Sequence, residues 1–456
     1  MRTSGVMIVL LGGLSATTSI FGGTLPPGEL GPEGQWTCKI QFRGRPSRKK
    51  LTIETVIQKA LTQNPTLKES RATIGMASGA RITAGLTPNP TAISIVSNLN
   101  KTVGSQLYQW NQTIETGGKR SKRVRVADCE VTAATLELQN RERLLVNHAR
   151  TAFIRVLQML SDAECADRTL HSYDDIRRAE SRVKGNDSES QLRISNERLD
   201  LELEQERAVL GVEDVKHDLA EIVAEPALWD QYDVEGGMQY VPANLNLERL
   251  RNAAFADRPD WKGVSVLVEQ AQARLRLARS MRIWNVNVGP VVSHVDGDSQ
   301  LGVGFLMSTQ PQIFDRNQGE IAKEKANIER VSENRRRMGL NIERELRKTF
   351  DHYRVIQKIV QSYRERYLKN SVLALNNSTK ALQEKKISAT DYLDALRTYR
   401  KIQIGYRRAL AEYMLSLSDV NLTCGSEIVP LDGALSLGKD SSGSLYFSPT
   451  YLSSER

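Results

Sequence analysis

The side chains best suited to chemistry in this 456-residue sequence are its cysteines and histidines, and they are dispersed. Cys38, Cys129, Cys165 and Cys424 show no CxxC spacing, and each of the five histidines lies alone in its segment. Zinc and redox sites need such side chains in clusters. No pairing of a nucleophile with a base emerges either. We therefore expect no enzyme, no cofactor and no resident metal.

Two carboxylates do have a spacing that brings them together. Asp391 and Asp394 are three residues apart, which places both on one face of a helix. A cluster of carboxylates attracts cations and repels anions. The alternative interpretation is that they are ordinary acids of a first helical turn, favoured there by the helix dipole.

The elements that carry these side chains are predicted to be very long helices. The 14 prolines are gathered in a few places and leave residues 91–225 and 312–429 without any. Proline breaks a helix interior at a cost of about 3 kcal/mol, so such stretches favour helix. Apolar residues from Leu138 to Tyr173 and from Tyr392 to Val420 advance by sevens, fours and threes, the pattern of a left-handed coiled coil.

The chain is duplicated. Residues 51–65 match residues 245–259 at an offset of 194 residues, without a gap. After each match the same events follow: a medium helix, two strand-like runs, a glycine-bearing corner, and two long helices joined by a polar turn. We predict a first repeat over 51–244 and a second over 245–425, with long helices at 119–184, 188–224, 317–386 and 389–420. Two similar halves of one fold are the consequence.

The strand-like runs have the length that a tilted transmembrane strand needs. They lie at 90–98, 106–114, 284–295 and 301–309, and residues 284–288 alternate apolar with polar. Four strands cannot close a membrane barrel, whereas three chains would supply twelve. An edge hairpin of a soluble domain is the alternative. A helical membrane protein is excluded, since 40% of residues are hydrophobic against 26% charged and no helix-length apolar run follows the N-terminus.

Two polar turns interrupt the heptad patterns. The first comprises Lys184, Gly185, Asn186, Asp187 and Ser188, and the second comprises Lys386, Ile387, Ser388 and Ala389. Gly185 can adopt the left-handed conformation that ends a helix, and Asp187, Ser188 and Ser388 can cap the next one. The turns are therefore predicted to be the tips of helical hairpins.

Three segments at the ends of the chain are predicted to lie outside the two repeats. Residues 1–24 have the layout of a secretory signal peptide, with one cation, an apolar core and small residues after it. Residues 25–50 are expected to be an irregular lead-in, and 426–456 an irregular tail. The net charge of +9 is attributed to solvated helix faces of mixed sign. It is also the one feature that favours a soluble coiled-coil scaffold or a nucleic-acid-binding rod.

Several motifs resemble those of the TolC-like outer-membrane efflux proteins. They are LTIETVIQKALTQNPTLKESRA from residue 51, GLTPNPT at 85–91, ETGGKRSKRVRVA at 115–127, QPQIFDRNQGEIAKEKA at 310–326 and ATDYLDALRTYR at 389–400. The phrase IFDRNQGEIA most resembles the heavy-metal, CzcC-like branch of that family. The resemblance runs from about residue 51 to residue 424, in both halves.

The resemblance implies a fold that is mainly α with a small β part: a homotrimer in which four transmembrane β-strands per chain form a 12-stranded β-barrel above an α-helical tunnel. It implies an exit duct of a tripartite efflux system, placed in the outer membrane and extending into the periplasm of a Gram-negative bacterium. Its partners would be outer-membrane lipid, a periplasmic membrane-fusion adaptor and, through the adaptor, an inner-membrane RND pump. Heavy-metal cations would be the cargo; drug efflux and type I secretion are the alternatives.

The resemblance also assigns roles to residues. The helical tips at Gly185, Asn186, Asp187, Ser188, Lys386, Ile387, Ser388 and Ala389 would contact the adaptor. Asp391 and Asp394 would line the periplasmic aperture, where threefold symmetry would turn the pair into about six carboxylates.

Overall fold

The computed structural model describes residues 8–9, 36–39, 41–42, 49–100, 103–180, 188–295, 299–384, 386–431 and 435. Most of the predicted signal peptide and the tail beyond residue 435 lie outside these ranges. So do Lys184, Gly185, Asn186 and Asp187 of the first predicted tip.

The first half of the chain begins with short strands and continues into long helices. The short strands are β1 (Ile8–Val9), β2 (Trp36–Lys39), β3 (Gln41–Phe42) and β4 (Lys49–Leu51). They are followed by α1 (Ile53–Gln63), α2 (Pro65–Gly85), β5 (Thr91–Asn100), β6 (Val103–Ile114), α3 (Lys119–Glu180), α4 (Ser188–Val223), α5 (Leu228–Gln231) and β7 (Tyr232–Met238).

The second half repeats the order of the long elements. It consists of α6 (Leu247–Asp257), α7 (Pro259–Met281), β8 (Val286–Val295), β9 (Gly302–Thr309), α8 (Gln318–Ser362), a π-helical turn (Tyr363–Tyr367), α9 (Leu368–Gln383) and α10 (Ala389–Cys424). Helices α1 and α6 have 11 residues each, and α4 and α10 have 36 each. The predicted fold class, mainly helical with a small sheet, is confirmed.

Local sequence explains where several helices begin and end. Thr52 caps α1 through a reciprocal pair of hydrogen bonds with Thr55. Pro65 and Pro259 are the first residues of α2 and α7, where the missing N–H is not needed. Gly425 ends α10 in the left-handed conformation, with φ +81°.

The structure differs from the predicted lead-in and from the predicted helix 317–386. Strands β2, β3 and β4 lie within or at the edge of residues 25–50, which were expected to be irregular. Strand β7 pairs antiparallel with β2 and parallel with β4, and this pairing supplies the order. The predicted long helix is divided by the π-helical turn, which begins at Tyr363. The Tyr363 hydroxyl lies so close to Gly405 that a Cβ at residue 405 would be 2.5 Å from it.

The chain forms two compact units, and the larger contains the main core. It consists of Met1–Pro65, Glu142–Asp257 and Glu343–Arg456. Its core combines side chains from α1, α3, α4, α8 and α10, among them Ile53, Phe153, Leu219, Tyr353 and Leu410, all with no more than 2% exposure. The start of the predicted irregular tail belongs to this core, since Val429, Leu431 and Leu435 are buried in it.

The second unit, Thr66–Arg141 and Arg258–Ile342, contains a four-stranded sheet. Its strands follow the order β5-β6-β8-β9, and every pairing is antiparallel. Gly117 and Gly118, with φ +68° and +66°, form the corner that leads from β6 into α3. Within the part of the chain that the structure describes, the outer strands β5 and β9 each pair on one side only.

Pro290 lies in the middle of the inner strand β8, where it cannot donate to the ladder. The pairing of β8 with β6 is interrupted there, between Gln109–Val291 and Gln112–Val288. At Gly289 the backbone of β6 comes so close that a Cβ would lie 1.4 Å from the carbonyl oxygen of Trp110. Glycine is therefore required at this position.

Among the described helices, none has a stretch apolar and long enough to span a bilayer.

Candidate aperture at the turn between α9 and α10

The second predicted tip connects α9 to α10. The Lys386 backbone N–H donates to the Ala381 carbonyl at 2.8 Å, and the Lys386 ammonium lies 2.6 Å from the Glu384 carboxylate. Ile387 packs against a small apolar cluster formed by Tyr173, Leu201, Leu375, Tyr392, Leu393 and Leu396. The polar side of the turn is thus exposed and its apolar side is anchored.

Ser388 and Asp391 cap the start of α10 reciprocally. The Ser388 hydroxyl accepts from the Asp391 backbone N–H at 3.1 Å. In return the Asp391 carboxylate accepts from the Ser388 hydroxyl at 2.7 Å and from its backbone N–H at 3.2 Å. These bonds hold the pKa of Asp391 below its usual range, the side-chain bond contributing most. Asp391 is exposed, so it stays ionised at neutral pH.

Asp394 is 68% exposed and accepts a hydrogen bond from Arg397 Nη1 at 2.5 Å. The same guanidinium donates through Nε and Nη2 to both carboxylate oxygens of Glu197 on α4. Such a two-pronged pair is the strong geometry for an arginine and a carboxylate. Tyr173 of α3 completes the group by donating its hydroxyl to Glu197 at 2.6 Å. Four residues from three helices therefore form one hydrogen-bonded network.

The charges in this network support one another. Burial alone would raise the pKa of Glu197, but the hydrogen bonds from Arg397 and Tyr173 outweigh it and hold that pKa below its usual value. Burial, together with the Glu197 carboxylate, raises the pKa of Tyr173, which therefore remains a neutral donor. Glu197 and Arg397 are both charged throughout the physiological range.

Two further arginines of α10 face acids of the first half of the chain. Arg400 contacts Glu204 of α4, seven residues after Glu197, and Arg408 lies 3.2 Å from Asp162 of α3. Burial raises the pKa of Asp162, and the neighbouring arginines oppose that shift. We call Arg397, Arg400 and Arg408 the arginine row. The row ties α10 to α3 and α4 along its length.

Comparisons with known proteins agree with this architecture. No protein-family model matches the sequence. The chain is 22% identical to the cobalt-zinc-cadmium resistance protein CzcC of Cupriavidus metallidurans over 388 residues, which cover 82% of this chain and 90% of that protein. Among solved structures, the outer-membrane channel OprN superposes with a TM-score of 0.69 at 14% identity, covering 82% of this chain and 90% of that one.

The chain has the fold of an outer-membrane channel. CusC, which forms a transmembrane channel, gives the same TM-score of 0.69 at 13% identity, covering 86% of this chain and all of that one. The resemblance to TolC-like heavy-metal efflux proteins is thereby confirmed. OprN is an outer-membrane channel and CusC forms a transmembrane channel, which is the class of protein and the location expected from the sequence.

In this channel fold the structure places Lys386, Ile387, Ser388, Asp391 and Asp394 together at one turn. Ser188 and Ala389 are the first residues of α4 and α10. The sequence did not predict the network that joins Arg397, Glu197 and Tyr173. The heptad stripe did predict that Tyr173 is buried between helices. Local sequence patterns cannot predict that Glu197 and Arg397 are partners, because 200 residues separate them. Among the described residues, no group of three or more potential ligands could hold a metal ion.

Proposed function

We propose that three copies of this chain form an exit duct in the outer membrane, with a shared 12-stranded barrel and a helical tunnel through the periplasm. The observation that carries the proposal is the open edge of the four-stranded sheet. Among the described strands, β5 and β9 each have one side without a partner, and no unpaired strand edge is tolerated within lipid. Pairing β9 of one copy with β5 of the next closes twelve strands and satisfies both edges.

The side chains of the outer strand fit a lipid-facing surface. Val303, Phe305 and Met307 alternate along β9 and are 78%, 72% and 66% exposed. Side chains two residues apart share a face of a strand, so these three form one apolar stripe. Such alternation is expected of a strand between lipid and water.

The cargo that we propose is a heavy-metal cation. The similar protein CzcC is named for cobalt, zinc and cadmium resistance, and the candidate aperture is acidic. Glu197, Asp391 and Asp394 set three carboxylates against the one guanidinium of Arg397, which leaves two negative charges per chain and six per trimer. A ring of that charge concentrates cations and disfavours anions.

The network also supplies a way to hold the aperture closed. Arg397 connects the start of α10, where Asp394 lies, to α4. Breaking this connection would remove the polar link between the start of α10 and α4, and would leave only the apolar cluster to hold the start of α10 against α3 and α4. We propose that an adaptor does so by docking on the tips at Gly185, Asn186, Asp187, Ser188, Lys386, Ile387, Ser388 and Ala389, and that it links the duct to an inner-membrane RND pump.

The test begins with the location and assembly of the protein. Expressed in a Gram-negative host, it should fractionate with outer membranes and migrate as a trimer in mild SDS. In planar bilayers it should conduct, with cations favoured over anions. A monomer in the periplasmic fraction, or an anion-selective pore, would contradict the proposal. Loss of the protein should then raise cellular zinc, cobalt or cadmium in a strain that carries its adaptor and pump; an unchanged metal content with raised drug accumulation would reassign the cargo.

A further inference from the structure

A groove of about 670 Å³ lies where β9 leads into α8. Its cationic lining consists of Arg282, Arg316 and Lys325, and its apolar lining includes Ile313, Phe314 and Ile321. The groove lies at the same end of the sheet as the start of β8. Val286 pairs with Thr309, so Arg282 and Ile313 are each four residues beyond one pair.

The three cations are available to a ligand. No acid lines the groove, and among the described residues none of these three side chains takes part in a salt bridge. The nearby acids are engaged elsewhere: Asp315 accepts from the Asn317 backbone N–H at 2.8 Å, and Glu320 lies 3.0 Å from Lys323. Arg316 Nε donates to the Ile313 carbonyl at 3.1 Å, which shapes the loop and leaves its Nη atoms for an anion. Three cationic side chains therefore line the groove, and within the described part of the chain none of them is paired with an acid.

The apolar side chains of the groove are exposed to solvent. Phe314 is 91% exposed, although burying such a ring is favourable by about 1.5–3 kcal/mol. Ile313 beside it is exposed too. A ligand that satisfies both linings must carry an anionic group and an apolar chain on one molecule.

We propose that this groove binds an anionic phospholipid, with the phosphate between Arg282, Arg316 and Lys325 and an acyl chain against Phe314 and Ile313. The proposal rests on the proposed membrane placement of the sheet, because it puts the groove at the boundary of the periplasmic leaflet. Trp284, 48% exposed and two residues from Arg282, is of the type that favours that boundary. Basic pockets at membrane boundaries bind acidic lipid headgroups by the same chemistry.

The test uses the purified full-length protein in a nonionic detergent and native mass spectrometry of bound lipid. The probes are phosphatidylglycerol, zwitterionic phosphatidylethanolamine, and inorganic phosphate. The double variant Arg282→Gln with Lys325→Gln should bind phosphatidylglycerol about thirtyfold more weakly, on the basis of the usual contribution of one cation at a lipid surface. Phe314→Ser should weaken phosphatidylglycerol binding and leave phosphate binding unchanged.

The matched control removes the same charge from the same two helices. Lys262 lies 20 residues before Arg282 along α7, about 30 Å away, and Lys348 lies 23 residues after Lys325, about 35 Å along α8. Lys262→Gln with Lys348→Gln should bind phosphatidylglycerol within about twofold of the wild type. Equal weakening in both double variants would reduce the effect to net charge and overturn the site.

Two more outcomes decide the proposal. If the variant Arg282→Gln with Lys325→Gln dissociates into monomers, a second copy of the chain covers the groove, and the proposal that a lipid binds there is wrong. If phosphatidylethanolamine binds as tightly as phosphatidylglycerol, the cations do not select a headgroup and the proposal fails. Lipid binding is measured in detergent, so it does not depend on fractionation or conductance. A groove variant that loses lipid binding but still reaches the outer membrane and conducts would show that the site and the duct can fail independently.

Discussion

Arg397 donates hydrogen bonds to both carboxylate oxygens of Glu197, although 200 residues separate them in the chain. The pair joins equivalent regions of the two repeats, at the starts of α10 and α4. Asp394 accepts a hydrogen bond from Nη1 of the same guanidinium. Arg397 therefore links the start of α10 to α4 and also contacts a carboxylate of the proposed aperture.

Removing this guanidinium should open the aperture. Since the Arg397 side chain is 54% exposed, we expect Arg397→Gln to cost no more than about 1 kcal/mol, which shifts the ratio of open to closed channels about fivefold. Single-channel recordings should show longer or larger openings. Lys401→Gln, four residues further along α10, removes the same charge and should behave as the wild type. Equal openings in both variants would mean that Arg397 does not hold the aperture.

The aspartate pair should control cations in the pore. Asp391→Asn with Asp394→Asn keeps the shape of both side chains and removes two charges per chain. We expect weaker block by divalent ions and raised conductance in planar bilayers. As a control, Asp351→Asn with Glu365→Gln removes two exposed acids elsewhere on the helices. Unchanged conductance and block in the aspartate variant would leave Asp391 as a helix cap and Asp394 as a partner of Arg397, with no role in the pore.

Cation selectivity should be independent of pH over the physiological range. Hydrogen bonds lower the pKa of Asp391 from its ordinary value of 3.8. The ionised carboxylate therefore stabilises the fold above that value, and this contribution is lost as the pH falls through the lowered pKa. Reversal potentials measured between pH 8 and pH 5 should coincide, and helix capping should weaken only below about pH 4. A midpoint near pH 6 would show that another group sets the selectivity.

Strand β8 should tolerate no side chain at Gly289. A Cβ there would lie 1.4 Å from the Trp110 carbonyl oxygen, so Gly289→Ala must push β6 and β8 apart. We expect a cost of about 3 kcal/mol, the upper end of the range for overpacking, seen as loss of the SDS-resistant trimer. Gly304→Ala in β9 provides the comparison, because no atom lies within 4 Å of its Cβ position. If both variants assemble normally, the strand pairing in the folded protein is not the one described.

The sequence predicted those features that arise from local rules. The prolines at 65 and 259 and the heptad stripe around Leu145 and Val156 were sufficient to locate the helices, since helical period and proline exclusion act within a few turns. The π-helical turn at Tyr363 was not predicted from the local sequence; there the Tyr363 hydroxyl occupies space that a side chain at Gly405 of α10 would need. The partners of Arg397 and the strand pairing of β7 were missed because each requires a contact between distant parts of the chain.

The duplication has one more consequence at the tip. When α4 and α10 are aligned at their first residues, Ser190 stands opposite Asp391 and Arg193 opposite Asp394. The start of α4 contains one acid, Glu189, and one base, Arg193, whereas the start of α10 contains two acids. In the proposed trimer, six helix starts would therefore alternate between a charge-balanced and an acidic sequence. The helical walls would repeat six times around the axis of that trimer, whereas the charge pattern at the mouth would repeat only three times. The second repeat would supply two of the three carboxylates at the proposed aperture, Asp391 and Asp394, and the first repeat only Glu197.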